Sequence, residues 1–338
     1  MGSFEPDSSI DATSAYAPAC VTTRSGVIES IHHAVLVVLD REGRIDFSIG
    51  DPNLAVFPRS SMKPLQAHAM LRNGLNVPDD LLALVCSSHD GRPMHVDGVR
   101  RILRSVGLDE SALANTADLP LDEMENDRVV RLGAVPTSLQ QNCSGKHAGM
   151  IATCVAAGWS HDPSYLFADH PLQREITEGL PALAGESATA IGVDGCGAPA
   201  HVLSLVGLAR AFRALATGVA GVEGERIRRA MSDHPEMVGG PRRDVTLLMC
   251  GIPGLMAKDG AEGVFAVALP DGRAVALKVA DGANRARPPL MRSALVGLGV
   301  DVSGVDPAAF ESTILGHGAP VGEVRSVGAL AEYAEGAT

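Results

Sequence analysis

The sequence predicts an α+β fold: a sheet drawn from both ends of the chain, packed against helices from the middle. Three observations carry this. Ala34-Val35-Leu36-Val37-Val38-Leu39 is an apolar, β-branched run of strand length. Gly263–Leu269, Asp271-Gly272 and Arg273–Val279 read as a hairpin late in the chain. Between them, from Ser60 to about Ala230, the periodicity is mostly helical. Strands at both ends with helices between do not alternate as βαβ units would.

In chain order, residues 1–20 read as a loose arm rich in Gly, Ser, Asp, Pro and Ala. His33–Asp40 begins the ordered part, turns at Asp40-Arg41-Glu42-Gly43, and returns over Arg44–Ile49. Ser61–Arg72 places Met62, Leu65, Ala69 and Met70 on one helical face, and Pro64 is tolerable only in a first turn. Pro78-Asp79-Asp80 opens a helix running through Leu81–Cys86, with its acids at the positive end. His147–Ala157 is a small-residue helix that Gly158 ends, and Pro199–Leu215 is another. Arg287–Leu298 closes the series behind Pro288 and Pro289. The division is then an arm at 1–20 and one domain at 21–338. Its sheet comes from about 21–59 and 240–338, and its helical part from about 60–239.

Composition removes several functions. A chain of 338 residues, 46% hydrophobic, can bury a large core and is not disordered. A net charge of −12 with no basic block argues against nucleic acid. No apolar run is long enough to span a bilayer, so no membrane partner is expected. No secretory leader is visible, and six cysteines in so long a chain do not make a disulfide framework, so the expected location is cytoplasmic.

Of the 28 basic side chains only Lys63, Lys146, Lys258 and Lys278 are lysines. Ser60-Ser61-Met62-Lys63 is an S-x-x-K, and residues three apart at a helix start share a face. A buried lysine can take a proton from such a serine and make it a nucleophile. Lys258-Asp259-Gly260 is a K-x-G just ahead of the late hairpin. S-x-x-K, then the loop Ser87-Ser88-His89-Asp90, then K-x-G follows the order of serine β-lactamases and penicillin-binding proteins, although the loop departs from S-D-N. Cys143 and His147 are four apart, and Cys196 stands before a helix. Together they can hold zinc, or they are small buried hydrophobes. Lys278 reads as an outward surface charge. His32 and His33 point to opposite faces of a strand, and His95 reads as structural.

Six motifs in order resemble the Rhizobium-type L-asparaginases (class 3, asparaginase II): Thr23–Ser30, Phe57–Gln66, Ser87–His89, Asn142-Cys143-Ser144-Gly145-Lys146-His147, Asp194-Gly195-Cys196-Gly197-Ala198-Pro199 and Gly260–Gly263. The resemblance spans about residues 20–335. It implies a fold similar to serine β-lactamases and hydrolysis of L-asparagine to L-aspartate and ammonia. It implies two Ser–Lys tandems, Ser60 with Lys63 and Ser88 with Lys258. It implies substrate contacts from Arg59, His89, Asn142, His147, Asp194, Gly260 and Ala261. It also implies zinc on Cys143, Lys146 and Cys196, assisting substrate binding, and a homodimer. Cys250 is displaced from the position of an active-site cysteine that some members carry. A β-lactamase- or esterase-like hydrolase on another acyl group and a non-catalytic amino-acid- or metal-binding protein are the alternative functions.

Overall fold

The computed structural model describes residues 12–337. Its principal sheet is antiparallel. Across it run Thr313–Gly316, Ala319–Ser326, Ala17–Arg24, Val27–Leu39, Ala274–Val279, Val264–Ala268 and Met256–Gly260, and Ile45–Ile49 pairs with Val27–Leu39 beyond the end of Ala17–Arg24. Both ends of the chain therefore build it, as the sequence predicts. Every residue from Ala34 to Leu39 is inaccessible. Because alternate residues face opposite ways, continuous burial requires cover on both faces. The helices Leu205–Ala216 and Arg287–Gly297 pack on the sheet and supply it.

Several boundaries differ: the strand expected from His33 starts at Val27, the helix expected from His147 starts at Ser144, and two differences are larger. Strand structure starts at Ala17, inside the expected arm, because Ala17–Arg24 pairs with both Val27–Leu39 and the distant Ala319–Ser326. Ala12–Ala15 is helical, and the rest of the arm lies outside the described residues. Pro199–His201 is strand, paired with Ile191–Val193, and the expected helix begins only at Leu205. Ser204 stops it extending backwards by capping Gly207 N–H with its hydroxyl.

The middle of the chain forms the helical part. The Lys63–Arg72 helix is buried from Lys63 to Met70. It lies against Asp79–Val85 and Ser144–Ala157. Small residues let the latter two approach closely: a Cβ on Gly145 would stand 2.3 Å from the Leu84 carbonyl oxygen. Gly158 ends Ser144–Ala157 at φ 71°, as its sequence position predicts. Among the described residues no single helix is long and apolar enough to cross a bilayer. The Leu205–Ala216 and Gly221–Asp233 pair is bent by 92°.

Candidate active site

The turn Arg59–Met62 runs into the Lys63–Arg72 helix beside the edge strand Met256–Gly260. Ser61 clamps the two, its hydroxyl donating to the Lys258 carbonyl at 3.0 Å. Gly260 permits the approach, since a Cβ there would stand 2.4 Å from the Pro58 carbonyl oxygen. Arg59 adopts φ 53°, a left-handed conformation that strains a residue with a side chain. Its guanidinium is held by Asp194 Oδ1 at 2.8 Å. Ser60, next in the chain, is half-exposed. It lines a small cavity with Lys63, Gln66, Lys146, Asp194 and His201.

Two buried lysines converge on Ser88. Lys258 Nζ lies 2.9 Å and Lys63 Nζ 3.2 Å from Ser88 Oγ. Lys63 also donates to the Ser87 carbonyl at 2.5 Å. Lys258 donates to Asp259 Oδ1 at 2.6 Å and to the Asp259 carbonyl at 2.7 Å, so its three N–H bonds are all placed. Burial pushes the Lys258 ammonium down to about 8, with Lys63 adding to the fall and Asp259 opposing it. The pair Ser88–Lys258 thus has the geometry the resemblance implies. The pair Ser60–Lys63 differs: the Lys63 N–H donates to the Ser60 carbonyl, but among the described residues no side-chain hydrogen bond joins them, and the Lys63 ammonium turns to Ser88 instead.

Asp259, in turn, is the only carboxylate touching Lys258 among the described residues. Burial would raise it, but Lys258, Arg243 and Arg287 outweigh burial and hold it well below the usual carboxylate range. Neither Asp259 nor Arg243 is singled out by the sequence, because their pairing across 16 positions is a tertiary contact.

Cys143, Lys146 and Cys196 form a second buried cluster, with Ala198 and Leu166 against it. Lys146 Nζ is 3.1 Å from Cys196 Sγ. A hydrogen bond from the Cys143 thiol, helped by Lys146, holds Cys196 down at about 4, while the same bond and burial push Cys143 up to about 12. Of the two thiols, Cys196 is thus the one whose thiolate form is favoured. Among the described residues no three His, Cys, Asp or Glu side chains form a metal-ligand group. The set here is two sulfurs and an amine, which suits zinc once Cys143 and Lys146 have shed their protons.

His147 does not join them as a ligand. Tyr165 Oη accepts from the Ala114 N–H at 3.2 Å and lies 2.9 Å from His147 Nδ1, the one ring nitrogen in reach of its own O–H, which is assigned as the donor there. The ring proton then sits on Nε2, which is buried and unpartnered. Burial, reinforced by Lys146, holds the ring neutral, well below its ordinary value. It is a spare donor, suited to a substrate oxygen. Asp194 is kept ionised by Lys146 and Arg59 against its own burial.

Other expected contacts fall away from the cavity. His89 is fully buried. It accepts from Gly91 N–H at Nδ1 (3.1 Å) and lies 2.9 Å from Ser144 Oγ at Nε2, so it fixes the Ser88 loop and has no atom left for a ligand. Asn142 Oδ1 accepts from Gln141 Nε2 (3.1 Å) and lies 3.3 Å from Cys143 Sγ, an alternative acceptor for that thiol's one proton. Gly260 is buried at the clamp and Ala261 is exposed beyond it. Lys278 is half-buried, donating to the Glu262 carbonyl at 2.7 Å and the Val279 carbonyl at 2.6 Å, which corrects its reading as a free surface charge. Cys250 is exposed.

The L-asparaginase II family model matches residues 20–326. The chain belongs to the L-asparaginase II family. Membership makes it an amidohydrolase. No curated protein sequence matches it. Among solved structures it is similar to a β-lactamase from Mycobacterium bovis (14% identity, 74% of this chain and 88% of that one, TM-score 0.36). It is also similar to EstCE1, described as a hydrolase with promiscuous acyltransferase activity (13%, 78% and 93%, TM-score 0.42). A third similar structure is a β-lactamase-type protein from Bacteroides dorei (13%, 81% and 88%, TM-score 0.38).

Proposed function

We propose that this family member hydrolyses L-asparagine to L-aspartate and ammonia through an acyl-enzyme on Ser60. One observation supports the mechanism most: two buried lysines meet at the Ser88 hydroxyl, beside a cavity that Ser60 lines. Ser60 is the accessible hydroxyl and Ser88 the buried one, so attack falls to Ser60 and relay to Ser88.

The protons balance as follows. Ser60 Oγ bonds to the side-chain amide carbon and its proton passes to Lys63. The C–N bond breaks while Lys258 supplies a proton through Ser88 to the leaving nitrogen, which departs as ammonia. Water then attacks the ester. Its proton passes through Ser88 to Lys258, and Lys63 returns its own to Ser60. The backbone N–H of Ser60 would stabilise the developing oxyanion, since that of Ser61 is already given to the Pro58 carbonyl. Arg59 and Asp194 offer opposite charges to the substrate's carboxylate and ammonium, and His147 Nε2–H adds a neutral donor.

Zinc is proposed on Cys143, Lys146 and Cys196, where it would act as a Lewis acid toward a substrate oxygen or nitrogen. No proton transfer above depends on it. A homodimer is proposed on the resemblance, and light scattering in solution checks it.

Coupled ammonia release with asparagine and with glutamine, each with and without added zinc, tests the reading. Turnover of asparagine supports it. No ammonia, with turnover of nitrocefin or p-nitrophenyl acetate instead, would move the chain to another acyl substrate. An asparagine-induced thermal shift without any product would make it a binding protein.

A further inference from the structure

Behind Lys258 lies a buried ionic network that the hydrolytic scheme leaves without a task. Asp259 divides its carboxylate: Oδ1 takes Lys258 Nζ at 2.6 Å, while Oδ2 takes Arg243 Nη2 at 2.5 Å and lies 3.5 Å from Arg287 Nη1. Arg287 Nη2 also reaches Asp244 Oδ2 at 3.3 Å, and Arg243 Nη1 lies 3.7 Å from Asp90 Oδ1. Three cations thus face three carboxylates. Such a network gives up much of its hydration on burial, and replacing it with apolar side chains is often neutral or stabilising. Stability alone is a poor reason to keep it.

Its position offers a better reason. Asp90 is two residues from Ser88, and Asp259 is adjacent to Lys258, so the network ties together both groups of the proton relay. The chain is shaped to bring them close. Ser88 N–H donates to the Val238 carbonyl at 3.0 Å, and a Cβ on Gly240 (φ 118°) would stand 1.9 Å from Asp90 Oδ2. The Val238–Arg243 segment therefore lies directly on the Ser88 loop and delivers Arg243 to the gap between Asp90 and Asp259.

We propose that Asp259 and Arg243 are positioning residues for Lys258: the carboxylate, shared between the lysine and the guanidiniums, sets the pH at which Lys258 holds the proton it passes through Ser88. The two act in opposite senses. The full charge of Asp259 favours the ammonium, and Arg243 weakens that hold by drawing on the same carboxylate and by its own like charge. The other groups facing Lys258 are Lys63 from the helix after the Ser60 turn and the Cys86 thiol at the end of Asp79–Val85. From the neighbouring elements, Ser61 touches its carbonyl, Ala266 pairs with it, and Arg228 stops at the Gly254 carbonyl, two residues ahead of the strand. Burial lowers the lysine, Asp259 opposes the fall, and Lys63 and Arg243 add to it, so that all of them together hold it near 8.

The inference rests on the amidohydrolase reading for its purpose, but its test does not. With four lysines in the chain, a ¹³Cε-lysine NMR titration resolves each one, and Lys258→Met identifies the signal. In the parent that signal should titrate near 8. Asp259→Asn should move its midpoint down by about one unit, and Arg243→Gln should move it up by about one unit. Asp259→Glu should restore the parent value. The alkaline limb of kcat/KM for ammonia release should follow each midpoint. Unmoved midpoints, or shifts of the same sign in both variants, overturn the inference. If Asp259→Asn does not fold, Arg243→Gln decides alone: an upward shift supports the inference and any other result refutes it. A parent that releases no ammonia refutes the proposed function while the titration still decides the network.

Discussion

At the scale of residues, the site depends on side chains that can give up a proton where arginine cannot. Ser60→Ala should abolish ammonia release with a thermal midpoint within a degree or two of the parent, because a half-exposed hydroxyl with no side-chain hydrogen bond among the described residues contributes little to stability. Near-normal turnover would remove Ser60 as nucleophile. Lys258 sets a pH limit. Its folded value lies near 8, below the ordinary 10.5, and the acylation step needs its proton. kcat/KM should therefore be full below that value and fall as pH rises through it, with no loss from this group on the acid side. Cys143→Ser or Cys196→Ser should lower bound zinc and raise KM more than it lowers kcat. Metal content equal to that of the parent would end the zinc proposal. Much of this was readable in advance, because the three lysine motifs fall in an informative order. The Arg59 strain, the donor state of His147 and the Asp259–Arg243 pair were not readable. The first is a backbone torsion, and the other two depend on partners far away in sequence.

At the scale of elements, the site is held by close backbone approaches. The Ser144–Ala157 helix carries Lys146 and His147, and it crosses Asp79–Val85 only because Gly145 has no side chain. Gly145→Ala should cost about 2 kcal/mol, within the range for overpacking a filled core. It should also raise KM by displacing the two residues that follow. Denaturant midpoints and kinetics on the same sample check both. The elements with a local signature were the readable ones: the uninterrupted apolar run at Ala34–Leu39, Asp271-Gly272 between two strands, and Gly158 after a helix. Ala17–Arg24 and Pro199–His201 lacked such a signature. Their strand character comes from partners, Ala319–Ser326 among them, and a short mixed segment does not announce a partner three hundred residues away.

At the scale of the molecule, the sheet and the helical part share one continuous core running from Leu36 and Phe265 through Phe212 to Met70 and Ile151. Ser60 and Ser88 stand on the helical side of that junction and Lys258 on the sheet side. The relay therefore exists only when the two parts are docked. Calorimetric unfolding should accordingly show one transition, with activity lost across the same range. Two separated transitions would make the parts independent domains. This docking is why the fold class and the Ser88–Lys258 pairing were legible while the turn of Lys63 to Ser88 was not. Periodicity reveals which segments are strands and helices, but the convergence of Lys63 and Lys258 on Ser88 comes from how three of them meet. The most direct test of that convergence is acid-quenched mass spectrometry during asparagine turnover. The account predicts an aspartyl ester on the peptide containing Ser60, lost in Ser60→Ala and formed more slowly in Ser88→Ala, which also loses the relay to the leaving nitrogen. An ester on Ser88, or ammonia release with no ester on either serine, would contradict it.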